Sequence, residues 1–146
     1  MRLLKGPEWD WLAREAQQTL LHEKFSIALE SNRTGYRLQG IALDRSRKDE
    51  LLSGGVTFGT MQLPASGQPI ILMADHPVTG GYPRIAQVLS ADLPFLAQRG
   101  PGDELRFEMS TQSEAELLYL TLDRQLRQLT EVCRARINQW LSNESI

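Results

Sequence analysis

The chain has 146 residues, 41% hydrophobic and 23% charged, with a formal net charge of −2; that suits one domain with a real core, is short for two, and leaves nothing that would attract nucleic acid. No apolar run is long enough to span a bilayer, and the opening MRLLKGPEWDW lacks the apolar core and cleavage site of a signal peptide, which points to a cytoplasmic protein without membrane contact. A single cysteine, Cys133, and two histidines, His22 and His76, leave no internal disulfide and no zinc site of the usual spacing.

MRLLKG reads as a short strand. Gly6-Pro7 then introduces a helix on which Trp9, Leu12, Ala13, Ala16 and Leu20 keep helical spacing, with Pro7 suited to a first turn that needs no amide donor. In KFSIALES the residues Phe25, Ile27 and Leu29 alternate with polar or small ones, the period of a strand buried on one face and ending near Ser31. NRTGYRLQG offers a turn at Thr34-Gly35 and a return strand carrying Tyr36 and Leu38. DRSRKDE is a solvated, charged connection. SGGVTFGTMQLPASGQPIILMAD gives two strands joined by a turn from Pro64 to Gly67, and PIILMA, apolar on both faces, is expected in the middle of a sheet. RIAQVL is a further strand, Ser90 is placed to cap a short helix in ADLPFLAQ, and RGPGDELRFEM turns into a last strand. From Ser113 to Leu141 the residues Leu118, Leu122, Leu126, Leu129, Cys133, Ile137 and Trp140 form one stripe at steps of three and four, predicting a long amphipathic helix that packs on the barrel or on a partner. The sum is about seven short strands with helical additions, the pattern of a small barrel or sandwich.

The densest chemistry is in ADHPVTGGYP, Ala74 to Pro83, directly after the apolar strand. Asp75 and His76 stand where that strand emerges, a place where a rigid scaffold can hold polar groups at a cleft. The competing reading has Asp75 accepting amide hydrogen bonds from the turn, with His76 at the surface. Gly80-Gly81 either forms an anion-binding concavity of successive amides or is a plain turn. SNRTGYR adds Asn32, Arg33, Tyr36 and Arg37; an arginine fork there suits a carboxylate or polarised carbonyl, and the alternative is a solvated turn. Gln62 suits ligand contact or a core hydrogen bond. Cys133, with no histidine near it in sequence, reads as a small core residue. Unaided, these residues describe a β-rich domain with a polar cleft for a small anionic or amide-like molecule.

SNRTGYRLQG, FGTMQLPASGQPIILMAD and TGGYPRIAQVLSADLPFLAQRGPGDELRF together resemble the C-terminal half of the biotin-dependent carboxyltransferase-like family, which includes allophanate hydrolase subunit 2, the KipA proteins and the C subunit of the bacterial ATP-dependent 5-oxoprolinase. The resemblance runs from about Arg2 to Phe107, with the final helix also expected. It implies a cyclophilin-like β-barrel without prolyl isomerase activity, so residues 1–146 are expected to be a single cyclophilin-like domain followed to its end by a long helix. By position it implies a site of Asn32, Arg33 and Tyr36 from the first motif, Gln62 from the second, and Asp75, Thr79, Gly80, Gly81 and Tyr82 from the third, with Asp75 catalytic and the others substrate-binding. Two departures stand out. DHPVTGGY replaces the family's DRQTTGGY-like motif, changing three positions at His76, Pro77 and Val78, and the QDLGR-like motif of the family's other half is absent.

The activity implied is that of a component of an ATP-dependent 5-oxoprolinase, opening a cyclic amide to glutamate and inactive in isolation. Its implied partners are a related cyclophilin-like protein, either the B subunit of 5-oxoprolinase or a KipI-like protein, and a lactam-utilisation subunit. ATP is used by the complex, and no cofactor is bound by this chain alone, which has no Gly-x-x-x-x-Gly-Lys loop. The alternatives are carboxyl transfer from carboxybiotin to urea or a related amide, and a KipA-like binding protein that sequesters a kinase inhibitor.

Overall fold

The structure, a computed structural model, describes residues 1–47, 49 and 51–143. Two compact units are present, residues 1–111 and a second that begins at Gln112.

The first unit is mainly β. Its strands are β1 (Arg2–Lys5), β2 (Phe25–Ile27), β3 (Gly35–Gln39), β4 (Gly54–Gly55), β5 (Thr60–Gln62), β6 (Ile70–Leu72), β7 (Thr79–Gly80), β8 (Arg84–Val88), β9 (Glu104–Leu105) and β10 (Glu108–Met109). Eight of them make one sheet in the order β10-β1-β8-β5-β6-β3-β2-β9, and β4 pairs with β7 in a separate two-stranded ribbon. β9 and β10 are consecutive in sequence yet lie on opposite edges of the sheet. Glu108 follows Leu105 by three positions, a reach of about 10 Å, so the edges must approach and the sheet must curl as a barrel does. Phe107, buried in that crossing, meets Phe25 with ring centroids 6.1 Å apart. Leu3, Leu20, Leu38, Met61, Ile71 and Ile85 fill the interior and are wholly buried. The apolar PIILMA segment is central as expected, β6 lying between β5 and β3. The turn before it closes through a hydrogen bond from Gly67 N to Pro64 O, 3.1 Å, with Gly67 at φ +76, a conformation that costs a glycine nothing.

Local sequence misled at four places. The helix expected from Trp9 begins later: Trp9–Trp11 is a single 3-10 turn, and α1 runs Arg14–His22. Between them Leu12 is extended and bridges Arg45, while Ala13 N donates to Asp44 O at 3.1 Å, so tertiary pairing overrides helical spacing. β2 stops at Ile27; Ser31 N closes a turn onto Ala28 O, which turns Leu29 outward to 85% exposure and buries Ala28 instead. Ser90 caps nothing: the short helix α2 is Leu93–Leu96 with Asp92 at its N-cap, and Asp92 turns its carboxylate to Arg2 instead, accepting from Arg2 N at 2.7 Å and from its guanidinium. The last strand is two short ones, β9 and β10, rather than one. The charged connection DRSRKDE is solvated where described, Arg47 pairing with Asp49 at 2.8 Å and lying over the Trp11 ring; Lys48 and Glu50 lie outside the described residues.

The second unit is α3, Gln112–Asn143, a helix of 32 residues. Its predicted stripe is present as spaced, and Leu126, Leu129, Ile137 and Trp140 are each more than half exposed. Cys133 is exposed too, which corrects its reading as a core residue. No helix among the described residues is long and apolar enough to cross a membrane.

Candidate functional site

Antiparallel pairing of β3 with β6 places Gly35 opposite Leu72. Beyond the last pair the two chains stay together, Met73 N donating to Thr34 O at 3.0 Å and Asp75 N to Arg33 O at 2.9 Å. This extension carries two charged side chains to one rim. Arg33 Nε donates to Asp75 Oδ2 at 2.7 Å and Nη2 to Oδ1 at 3.2 Å, a two-pronged pair on the surface. The hydrogen bond from Arg33 holds the Asp75 carboxyl below its ordinary value, and the same bond raises Arg33. Asp75 is thus a fixed anion at neutral pH and a weak base, which favours orienting a ligand over exchanging protons with one.

Asn32 shapes the turn rather than offering its amide outward: its Oδ1 accepts from Thr34 N at 2.8 Å, an Asx turn. Tyr36 reaches across to donate its hydroxyl to Arg99 O at 2.9 Å, pinning the loop after α2. With Phe58, Met73 and Pro101 these residues line a cleft of about 290 Å3 that has Arg33 at its mouth. His76 turns back on itself, Nδ1 lying 2.7 Å from Pro77 O.

The remaining predicted residues gather elsewhere. Gln62 pairs with Ile70 at the start of β6, whereas Asp75 follows its end, so the two sets sit toward opposite ends of that strand. Gln62 is buried and donates to Tyr82 O at 3.4 Å. Over it runs the β4–β7 ribbon, with Gly80 opposite Gly54 and Thr79 opposite Gly55. A Cβ on Gly80 would sit 2.4 Å from Gln62 Nε2, so close approach explains that glycine. Neither Gly80 nor Gly81 has a positive φ. A concavity of successive amides needs a left-handed residue, so of the two readings of this pair the geometry does not supply the anion cradle. Tyr82, half exposed, lines a second cleft of about 290 Å3 with Arg37, Gln68 and Ile70.

One polar cluster escaped the sequence reading. Glu8 is buried, and its Oε2 accepts from Arg84 N and Nε, both at 2.9 Å, while Oε1 accepts from Nη2 at 2.8 Å. Arg84 Nη1 also donates to Gly55 O at 3.1 Å, tying β8 to the ribbon. The hydrogen bond from Arg84 holds the Glu8 carboxyl down against the upward pull of burial. The available signal was an acid between Pro7 and Trp9 and a cation opening an apolar strand, TGGYPRIAQV, each needing a partner in a buried setting.

The cleft at Arg33 offers a single guanidinium, already engaged by a carboxylate, and does not fit a triphosphate, which calls for several converging donors.

Comparison with known proteins bears on this geometry. A family model described as carboxyltransferase domain, subdomain A and B, matches residues 1–109. The 5-oxoprolinase C subunit of Escherichia coli strain K12 is 44% identical over 115 residues, covering 79% of this chain and 37% of the relative. The protein of the same name from Haemophilus influenzae is 42% identical over 118 residues, covering 81% of this chain and 38% of its own length. This chain therefore spans less than two fifths of either relative. Among solved structures, the urea amidolyase of Kluyveromyces lactis superposes with a TM-score of 0.79 over 85% of this chain and 8% of its own, at 24% identity, a likeness of fold. TTHA0988 superposes with a TM-score of 0.63 over 73% of this chain and 20% of its own, at 37% identity.

Proposed function

The chain belongs to the carboxyltransferase domain family, subdomains A and B, and on that premise we propose that it is a component of an ATP-dependent 5-oxoprolinase complex. The observation that carries the reading is the 44% identity to the E. coli 5-oxoprolinase C subunit. The cleft supports it. 5-Oxoproline is a small ring bearing one carboxylate and one lactam amide; Arg33, which lines the cleft, supplies a cation for the first, and its partner Asp75 beside it supplies an acceptor for the N–H of the second. In this mechanism Arg33, pre-oriented by Asp75, binds the substrate carboxylate or an anionic intermediate. Asp75, kept ionised by that contact, accepts from the lactam N–H and fixes the ring's orientation. Asn32 and Tyr36 hold the two loops that shape the cleft. Gln62 supports the ribbon of Thr79 and Gly80 from beneath, and Gly81 and Tyr82 form its exit.

Neither cleft contains a nucleophile with its base, so activation of the substrate falls to other subunits, one cyclophilin-like and one of the lactam-utilisation type. Residues 1–111 are accordingly the cyclophilin-like domain of a cytoplasmic assembly and inactive alone. Carboxyl transfer to urea or a related amide is the second reading, favoured by the family's own description; the same carboxylate-binding rim serves it.

The test is a chimera in which residues 1–111 replace the matching segment of the E. coli relative, assembled with that enzyme's other subunits. It is expected to form glutamate from 5-oxoproline with ATP and magnesium, while the chain by itself forms none. An assembled, folded chimera without turnover, or glutamate from the isolated chain, overturns the reading.

A further inference from the structure

The helix α3 begins at Gln112, beyond the residues the family model matches, and carries an apolar stripe from Leu118 to Trp140 that is half-buried at Leu118 and Leu122 and exposed from Leu126 onward. The stripe repeats after eleven residues: Leu118 recurs as Leu129 and Trp140, Leu122 as Cys133, and Leu126 as Ile137. An eleven-residue period gives about 3.67 residues per turn, so the stripe runs nearly straight along the helix and can seat a second helix along it. The spacing is also almost a mirror about Leu129. A second copy laid antiparallel and crossing at Leu129 brings Leu126 against Cys133, Leu122 against Ile137 and Leu118 against Trp140, each within one residue of register.

Charge selects among occupants. The first third of the helix, 112–121, carries Glu114 and Glu116 and no cation; the middle, 122–131, balances Asp123 and Glu131 with Arg124 and Arg127; the last, 132–143, carries Arg134 and Arg136 and no acid. A parallel pair sets acid beside acid and arginine beside arginine. An antiparallel pair sets each acidic end beside a basic one, brings Asp123 near the partner's Arg134, and opposes the two helix dipoles favourably. We propose that α3 pairs antiparallel with α3 of a second copy of this chain, centred on Leu129. The inference stands apart from the reading of the cleft, since none of its residues lies there.

Sedimentation equilibrium of the full chain tests it. The expected result is a monomer–dimer equilibrium, with Leu129→Asp raising the dissociation constant by about 100-fold or more, as for a fully desolvated anchor at the centre of an interface. Helix content by circular dichroism checks that the variant stays folded. Orientation is read separately by oxidation. In the proposed register the two Cys133 residues lie about 12 Å apart along the axis and cross-link poorly, whereas Leu129→Cys in a Cys133→Ser background cross-links readily. A chain monomeric at every concentration, a Leu129→Asp dimer as tight as the parent, or cross-linking through Cys133 in preference to Leu129→Cys overturns the proposal.

Discussion

Glu8–Arg84 and Arg33–Asp75 are the same chemistry in two settings. Each is an arginine fork on a carboxylate, with a contact of 2.8 Å in the first and 2.7 Å in the second. The first has its acid 9% exposed at the side chain and joins β8, the 3-10 turn and the ribbon. The second has its arginine 80% exposed, at the mouth of a cleft. A buried pair cannot lose one member without stranding a charge, whereas an exposed pair exchanges partners with water at little cost. One arrangement therefore belongs to the fold and the other is available to a ligand.

Removing the cation of the buried pair is the harshest test of that division. Arg84→Met leaves Glu8 unpaired in the interior and is expected to destabilise by about 3–5 kcal/mol, a fall in Tm of roughly 10 °C or more. The double variant with Glu8→Gln should recover part of the loss; a single variant melting as the parent does would show the pair to be ornamental. Close to it, Gly6→Ala would set a Cβ 2.1 Å from the backbone Arg84 O. No side chain can yield there, so a cost of about 1–3 kcal/mol is expected by thermal melting. Gly81→Ala, with its nearest atom at 3.5 Å and no left-handed backbone, should melt within about 0.5 kcal/mol of the parent.

Acid bears on the buried carboxyls as well. Glu8 and Asp92 are both held below their ordinary values of 4.5 and 3.8, Glu8 by Arg84, Asp92 by its contacts with Arg2 overcoming the pull of burial. Carboxyls depressed in the folded state contribute stability that is complete above those ordinary values and is lost as pH falls through the folded ones. Melting temperature should accordingly hold down to about pH 5 and drop below it. Arg84→Met should flatten that drop, and an unchanged acid limb in the variant would assign it to other groups. The smallest effect on stability is expected at the rim, where Arg33→Ala should change folding by less than about 0.5 kcal/mol in a denaturant titration.

What the sequence made legible follows the same line. β1, β3, β5, β6, β8 and α3 announced themselves because their apolar periods are local. The four-residue ribbon of β4 and β7 did not, being rich in glycine and defined only by what it covers, Gln62 and Arg84. Arg33 and Asp75 were each singled out for chemistry, but 42 residues separate them, and only the β3–β6 register shows that they meet. Gln62 and Asp75, carried over from the second and third family motifs into one site, stand toward opposite ends of β6, a separation that the order of residues along the chain does not encode.

The most direct measurement is kcat/KM for ATP-dependent 5-oxoproline hydrolysis by the assembled chimera, with and without Arg33→Ala. If Arg33 holds the substrate carboxylate, the loss of a charge-assisted hydrogen bond of about 1.5–3 kcal/mol should lower kcat/KM by roughly 10- to 100-fold while Tm stays where it was. Undiminished kcat/KM in the variant would contradict the account and remove the Arg33–Asp75 rim from the site.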